Sequence, residues 1–284
     1  MDSARSLAFS LVIPAFNEAR RLPAFLASAT AHLAARYPGA FEVVVVDDGS
    51  DDDTADVAAA HPGPVRVLRL SRNRGKGAAV RAGMLAARGA LRLFADADGA
   101  TPIAEEIRLV AALEAGHDLA VGSRTAPGGT RRWTRGRRAP SDAGDGPVVW
   151  HVRPHRHWSG RVFARLVTRL TGVPVGDTQC GFKLFRDYAA LLLFPLVQCE
   201  GYAFDVELLA LARQLDLRTA EIAVRWHEVP GSKVRLVRDA FRMLADVRAI
   251  RRRTAAVVAT AALPPPPAPA ALPEWQELPA RKTG

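Results

Sequence analysis

The sequence predicts an α/β fold, a mostly parallel central sheet with helices on both faces. Three observations carry this. Unbroken apolar runs rich in β-branched residues recur through the first 124 residues, as strands covered on both faces require. Each run is followed by a helix-like stretch, and strand–helix–strand order favours parallel pairing. With 284 residues, 49% hydrophobic and 24% charged, the chain can bury a large core and is not globally disordered.

Phe9–Ile13 (FSLVI) is the first strand, and a helix follows from about Glu18 to Ala35. Phe41–Val46 (FEVVVV) is the second strand and ends in the turn Asp47–Ser50. Asp51–Asp53 supply caps and early acids for a helix over Thr54–Ala60. Val65–Leu70 is the third strand, and after the turn Ser71–Gly77 a helix runs to about Arg88. Leu91–Ala95 is the fourth strand. It ends in Asp96-Ala97-Asp98, and Pro102 then opens a helix to about Ala115. Leu119–Gly122 is the fifth strand. The pattern breaks over Thr125–His157, which reads as a long, mobile, Gly-, Pro- and Arg-rich loop. Helices over Ser159–Thr171 and Val206–Gln214, a strand over Ala220–Trp226 and a basic amphipathic helix over Val234–Arg253 complete the expected elements. From Pro264 the composition is that of a disordered tail.

The net charge is +10 and the pI about 10.6, which favours an anionic partner: nucleic acid, a membrane surface or a phosphorylated substrate. No helix-turn-helix, zinc-finger or RNP motif is present, so a basic nucleic-acid-binding module is a distant alternative and no nucleic-acid partner is expected. Two cysteines exclude a disulfide framework and a four-thiolate zinc site. The longest apolar run near an end, Ala255–Leu263, falls short of the ~20 residues a spanning helix needs. The expectation is a soluble or peripheral protein.

Ligands of open parallel sheets bind beyond the carboxyl ends of the strands. Those ends here carry Pro14–Glu18, Asp47-Asp48, the Arg74–Gly77 turn and Asp96–Asp98. There is no GxGxxG and no P-loop. Asp96 and Asp98, two residues apart at a strand end, would point the same way and hold one hard divalent cation, with phosphates completing its shell. The plainer alternative is an acid pair capping the next helix. Asp47 and Asp48 suit the edge of a nucleobase, or are an ordinary turn. Lys76, opening a helix between glycines, suits a diphosphate with both its ammonium and the helix N-terminus, or is a solvated lysine.

Taken together, VIPAFNE (Val12–Glu18), VVVDDGSDDDT (Val44–Thr54), NRGKGAAVRAG (Asn73–Gly83) and DADGAT (Asp96–Thr101) resemble the glycosyltransferase family 2 pattern and its Rossmann-like GT-A fold. DADGAT followed by GSR (Gly122–Arg124), DTQCGFKLF (Asp177–Phe185) and WHEVPGSK (Trp226–Lys233) is similar to the dolichyl-phosphate β-glucosyltransferase branch, over about residues 7 to 250. That resemblance implies an inverting transfer of glucose from UDP-glucose to a dolichyl or polyprenyl phosphate. Pro14, Ala15, Glu18, Asp47, Asp48, Lys76 and Asp96 would line the nucleotide-sugar pocket. Asp96 and Asp98 would bind Mg²⁺ or Mn²⁺. Arg124 and Lys183 would face the acceptor phosphate, and Asp98, Asp177 and Gln179 would serve the reacting centre. The acceptor phosphate is already largely ionised near neutrality, with a second pKa of roughly 6, so Asp177 is expected to orient rather than to act as a strong base. Its plainer alternative is a loop acid capping a turn.

The implied organisation is one GT-A domain over residues 1–253: a nucleotide-sugar-binding half (7–124), the Arg-rich loop (125–157) and an acceptor half (158–253). Residues 254–284 form the Pro-rich tail. Arg124–Arg161 holds nine Arg against two Asp, and Arg218–Arg253 nine Arg and one Lys against four acids. These segments suggest peripheral attachment to an anionic membrane on its cytoplasmic face, with a solvated basic surface as the alternative. A mannosyltransferase using GDP-mannose, or a soluble family 2 transferase with a small acceptor, are the competing activities. Cys180 reads as a packing residue and not a nucleophile.

Overall fold

The computed structural model describes residues 7–124, 126, 129–133, 148–152, 173, 175–227, 229, 249–250, 252–254 and 275–278. The first half alternates β1 (Phe9–Ala15), α1 (Leu22–Arg36), β2 (Phe41–Asp47), α2 (Thr54–Ala59), β3 (Val65–Leu70), α3 (Lys76–Ala86), β4 (Leu91–Ala95), α4 (Glu106–Glu114) and β5 (Leu119–Ser123). A short 3₁₀ turn, Ile103–Glu105, leads into α4. The second half adds β6 (Gly129–Trp133), β7 (Val148–Val152), β8 (Phe182–Arg186), α5 (Asp187–Leu193), α6 (Phe204–Gln214), β9 (Thr219–Ala223), β10 (Trp226–His227) and β11 (Trp275–Leu278).

The main sheet has eight strands in the order β11-β3-β2-β1-β4-β8-β5-β9. β1 pairs in parallel with β2 and β4, β2 with β3, and β5 with β9. Every residue of β1 and β2 is buried, as their unbroken apolar runs require. Alternate residues feed two apolar layers. Val12, Val44, Val46 and Phe94 face α3, α5 and α6; Leu11, Ile13, Val43 and Leu93 face α1, α2 and α4. Burial of a side chain such as Leu26 or Leu33 contributes ~1.5–3 kcal/mol.

Four features depart from the sequence expectation. First, the segment FKLFR forms β8, which inserts antiparallel between β4 and β5, pairing Lys183 with Phe94 and with Val121. Because β8 runs against its neighbours, it starts where they end. Asp177–Gly181 is thereby delivered to the edge that already carries Asp96–Asp98 and Arg124. Second, the span expected as one strand over Ala220–Trp226 divides into β9 and β10. Third, part of the Arg-rich span is paired backbone: β6, β7 and β10 form a separate three-stranded parallel sheet. Fourth, the tail expected to be disordered contributes β11, antiparallel to the edge strand β3, with Glu277 paired to Arg66 at 2.9 Å. A four-residue strand inside a Pro-rich tract has too little pattern to stand out, and the open edge of β3 supplies the missing hydrogen bonds. The helices expected over Ser159–Thr171 and Val234–Arg253 lie outside the described residues, except that 249–250 and 252–254 are helical.

Candidate active site

β4 ends at Ala95, so Asp96 and Asp98 stand in a turn beyond it, and the strand alternation expected to align them does not apply. The turn brings them together instead. Gly99 takes φ +65°, the Asp98 Oδ1 atom accepts from the Ala100 amide at 3.1 Å, and the Asp96 amide donates to the Gly181 carbonyl at 3.1 Å. A Cβ on Gly181 would overlap the Asp96 carboxylate. The glycine of DTQCGFK is therefore what admits Asp96 to this position.

Cations gather on the acid pair. Lys76 Nζ lies 2.5 Å from Asp96 Oδ1, and Arg21 Nη1 lies 4.0 Å from Asp98 Oδ2. Arg21 is itself held by Glu18, with Nε 2.7 Å from Oε2. Burial and the adjacent Asp96 push the Asp98 carboxyl above the usual carboxylate range. Burial opposes the charge on Lys76, but Asp96 and Asp205 outweigh it and hold the ammonium above its ordinary value. Two crowded carboxylates offering only oxygens fit a hard divalent cation, which would relieve their repulsion. No group of three His, Cys, Asp or Glu side chains suited to a metal occurs among the described residues. The rest of such a shell would fall to water and substrate oxygens.

The loops from β1 and β2 are tied to each other. Pro14 and Ala15 close β1, and the Asp48 amide donates to the Ala15 carbonyl at 2.8 Å. The amides of Asn17 and Glu18 donate to Ser50 Oγ at 2.9 Å and Thr54 Oγ1 at 2.8 Å. Asp48 accepts from the Arg74 and Gly75 amides, both at 2.8 Å, so its two oxygens build the turn before α3. Asp47 is fully buried; its Oδ1 accepts from the Ser50 amide at 3.1 Å. Its Oδ2 lies 3.2 Å from Arg69 Nε without hydrogen-bond geometry. Asp48 and the Asp47 Oδ1 atom thus also build loop structure, a role that the expected nucleobase edge did not include.

The N-terminus of α3 also differs from expectation. The Gly77 and Ala78 amides donate to the Glu200 carbonyl at 2.7 and 3.3 Å, so these amides are not open to a diphosphate. Gly75 takes φ +113°, where a Cβ would collide with that same carbonyl. Lys76 reaches Asp96 through its side chain.

On the opposite wall, Arg124 forms a fork with Asp177. Nε to Oδ2 and Nη2 to Oδ1 are both 2.7 Å, and the Arg124 amide adds a third bond at 2.9 Å. Burial alone would raise Asp177; the guanidinium outweighs it and holds the carboxyl below the usual range. Asp177 is thus an ionised partner of Arg124 and a poor proton acceptor. The Arg124 guanidinium also lies 5.3 Å from the Trp226 ring centroid. Asp96, Thr101, Arg124, Gln179 and Trp226 line one cleft. It therefore brings together Asp96 of the acid pair, Arg124 of the fork and Gln179.

Lys183 does not join them. Its side chain is fully buried, donates to the Cys180 carbonyl at 2.6 Å and is ion-paired with Asp205. β8 places it opposite Phe94, facing α6, so the expected orientation toward an acceptor phosphate does not hold here. Cys180 is a packing residue: burial, with Asp177 beside it, pushes its thiol up to about 12, leaving it protonated at neutral pH.

Four supporting residues escape sequence reasoning. Glu221 accepts from Gly176 N, Asp177 N and Ser123 Oγ at 2.9, 3.2 and 2.6 Å, fixing the loop that carries Asp177. Buried Glu105 holds Arg225, and the His227 amide donates to the Ala100 carbonyl at 2.9 Å. These two ties flank Trp226 and fix it to the acid-pair loop. Asp205 is the fourth. The available signal was an acid inside an otherwise apolar element, as in AEIAV or FDVELLALA.

The sequence profile of glycosyl transferase family 2 matches residues 10–191. A dolichyl-phosphate beta-glucosyltransferase of Drosophila melanogaster is 41% identical over 253 residues, covering 82% of this chain and 71% of the relative. That of Saccharomyces cerevisiae is 36% identical, covering 85% and 73%. Among solved structures, mannosyl-3-phosphoglycerate synthase from Rubrobacter xylanophilus superposes with a TM-score of 0.57 at 20% identity, over 96% of this chain and 87% of that one. Glucosyl-3-phosphoglycerate synthase from Mycobacterium tuberculosis, in complex with Mn²⁺, UDP-glucose and phosphoglyceric acid, gives 0.55 at 18% identity, over 88% and 80%. The two structural likenesses bear on the fold, which is the GT-A glycosyltransferase arrangement. On the profile match, the relatives and the fold, the chain belongs to glycosyl transferase family 2.

Proposed function

We propose that this chain transfers glucose from UDP-glucose to a dolichyl or polyprenyl phosphate, with inversion at the anomeric carbon. The observation that carries the reading is a cleft lined by both an acid, Asp96, and a basic side chain, Arg124, the latter held by Asp177. The extended similarity to dolichyl-phosphate beta-glucosyltransferases supports the choice of glucose and of the lipid acceptor.

In this reading a phosphate oxygen of the acceptor attacks the anomeric carbon, and the bond to the diphosphate breaks on the far side. Asp96 and Asp98 would hold Mg²⁺ or Mn²⁺. When bound, the ion offsets charge developing on the departing diphosphate. Arg124 lowers the repulsion between two anions meeting at one carbon, and Nη1 takes no part in its pair with Asp177. Asp177 holds the guanidinium near the Trp226 ring and is not asked to remove a proton. Gln179 lines the same cleft. The protein works peripherally at the cytoplasmic face of an anionic membrane, where the lipid phosphate is presented.

The test supplies purified protein with labelled UDP-glucose, Mn²⁺ and polyprenyl phosphate. The expected product is chloroform-extractable and labile to mild acid, and Asp98→Asn lowers its rate by about 100-fold or more. Label confined to a water-soluble product would point to a small acceptor. Efficient use of GDP-mannose in place of UDP-glucose would overturn the donor assignment. Equal rates for wild type and Asp98→Asn would remove the cation site.

A further inference from the structure

We infer that Asp205 is a positioning residue for Lys76, and that the buried Lys183 is the counter-charge that keeps Asp205 in place for that role. The inference rests on the proposed reading of Asp96 and Asp98 as a cation site.

The starting point is an ion pair where none is needed for packing. Lys183 and Asp205 are both buried in the layer formed by Phe94, Phe185 and Phe204. Phe94 and Phe204 have centroids 5.8 Å apart, and Lys183 Nζ is 5.2 Å from the Phe94 centroid. A buried ion pair is often no more stabilising than an apolar pair of similar volume, because both ions lose hydration. Stability therefore does not explain these charges.

Their position does. α3 docks directly on the start of α6. The Gly77 amide donates to the Glu200 carbonyl at 2.7 Å, and a Cβ on Gly77 would come within 2.7 Å of Phe204 Cβ. This docking brings Lys76, the first residue of α3, toward Asp205, the second of α6. Lys76 contacts Asp96 and lies within electrostatic reach of Asp205, whose charge reinforces that of Asp96 on its ammonium. Lys183, Asp205, Lys76 and Asp96 thus form a row of alternating charge from the core to the cleft.

A cation that takes Asp96 Oδ1 must displace the Lys76 ammonium from it. With Asp205 present, the displaced ammonium keeps a second anion at the start of α6, on which its own helix is docked. Without Asp205, Lys76 holds Asp96 more tightly and competes with the cation. Asp205 therefore raises cation affinity through Lys76.

The experiment measures Mn²⁺ binding in the presence of UDP, by the electron paramagnetic resonance signal of free Mn²⁺, together with the melting temperature. Asp205→Asn is expected to weaken Mn²⁺ binding about fivefold or more. The variant carrying both Lys183→Met and Asp205→Asn, which leaves no unpaired buried lysine, is expected to fold and to show the same loss. In a Lys76→Met background, Asp205→Asn should change the affinity less than about twofold. Wild-type affinity in the variants, with only a lower melting temperature, would make the pair purely structural and overturn the inference. An equal loss in the Lys76→Met background would also overturn it. If the wild type binds no Mn²⁺, the cation site and this inference both fall; if it binds and the variants bind equally, only this inference does.

Discussion

Gly181 shows how one residue decides the chemistry of a site. Its missing side chain leaves room for the Asp96 carboxylate, and its carbonyl receives the Asp96 amide. Gly181→Ala is expected to cost about 1–3 kcal/mol through overpacking. It should also displace Asp96, so that Mn²⁺ no longer raises the melting temperature as a ligand of the folded state does. Thermal unfolding with and without Mn²⁺ reads both effects; an undiminished Mn²⁺ shift in the variant would contradict the geometry. At this scale much of the site was legible: Asp96, Arg124, Asp177 and Gln179 meet as their motifs suggest. Lys183 was not legible, because a lysine in a conspicuous motif gives no sign of which face of a strand it will occupy. The structural role of Asp47 and Asp48 was not legible for a related reason. A carboxylate pair at a strand end serves a ligand, the loop itself or both, and the loop role shows only in the amides of Ser50, Arg74 and Gly75.

Among the elements, β8 and β11 are two that local pattern did not announce. FKLFR has no clean alternation, since both faces of an interior strand are covered and Lys183 is neutralised from α6. β11 is four residues long in a Pro-rich tract, yet it covers the edge of β3, where Trp275 packs against the core. Its exposed pair, Glu277 with Arg66, is worth only ~0–1 kcal/mol, so the backbone ladder and Trp275 supply most of its contribution. Replacing residues 275–278 by a Gly-Ser tract should lower the urea midpoint while leaving kcat unchanged, because three strands separate β11 from β4. A large loss of kcat in fully folded protein would contradict that independence. α3 was legible as a helix, but its start was misread as open. Its first amides meet the Glu200 carbonyl, a contact between segments 120 residues apart.

At the scale of the whole molecule, the sheet gathers four loops at one edge while the charge excess accumulates downstream of them. No helix among the described residues is long and apolar enough to cross a membrane. The basic segments proposed for membrane contact, nine Arg against two Asp over Arg124–Arg161 and a similar excess over Arg218–Arg253, lie mostly outside the described residues. Flotation with vesicles containing anionic lipid should recover the protein at low salt and release it near 1 M salt, where the screening length falls to about 3 Å. Equal recovery with neutral vesicles, or none at low salt, would remove the electrostatic attachment.

The sequence by itself determined the order of strands and helices in the first half, and thus which residues stand at strand ends. Apolar runs and turn residues act over a few positions, so they are readable locally. The tertiary structure alone decided which of those residues meet. The antiparallel entry of β8 between β4 and β5 sets Gly181 on Asp96 and carries Asp177 to Arg124, and the packing of α6 pairs Asp205 with Lys183. Such meetings depend on strand neighbours and helix docking across tens of residues, where burial of the whole core, and no local preference, selects the arrangement.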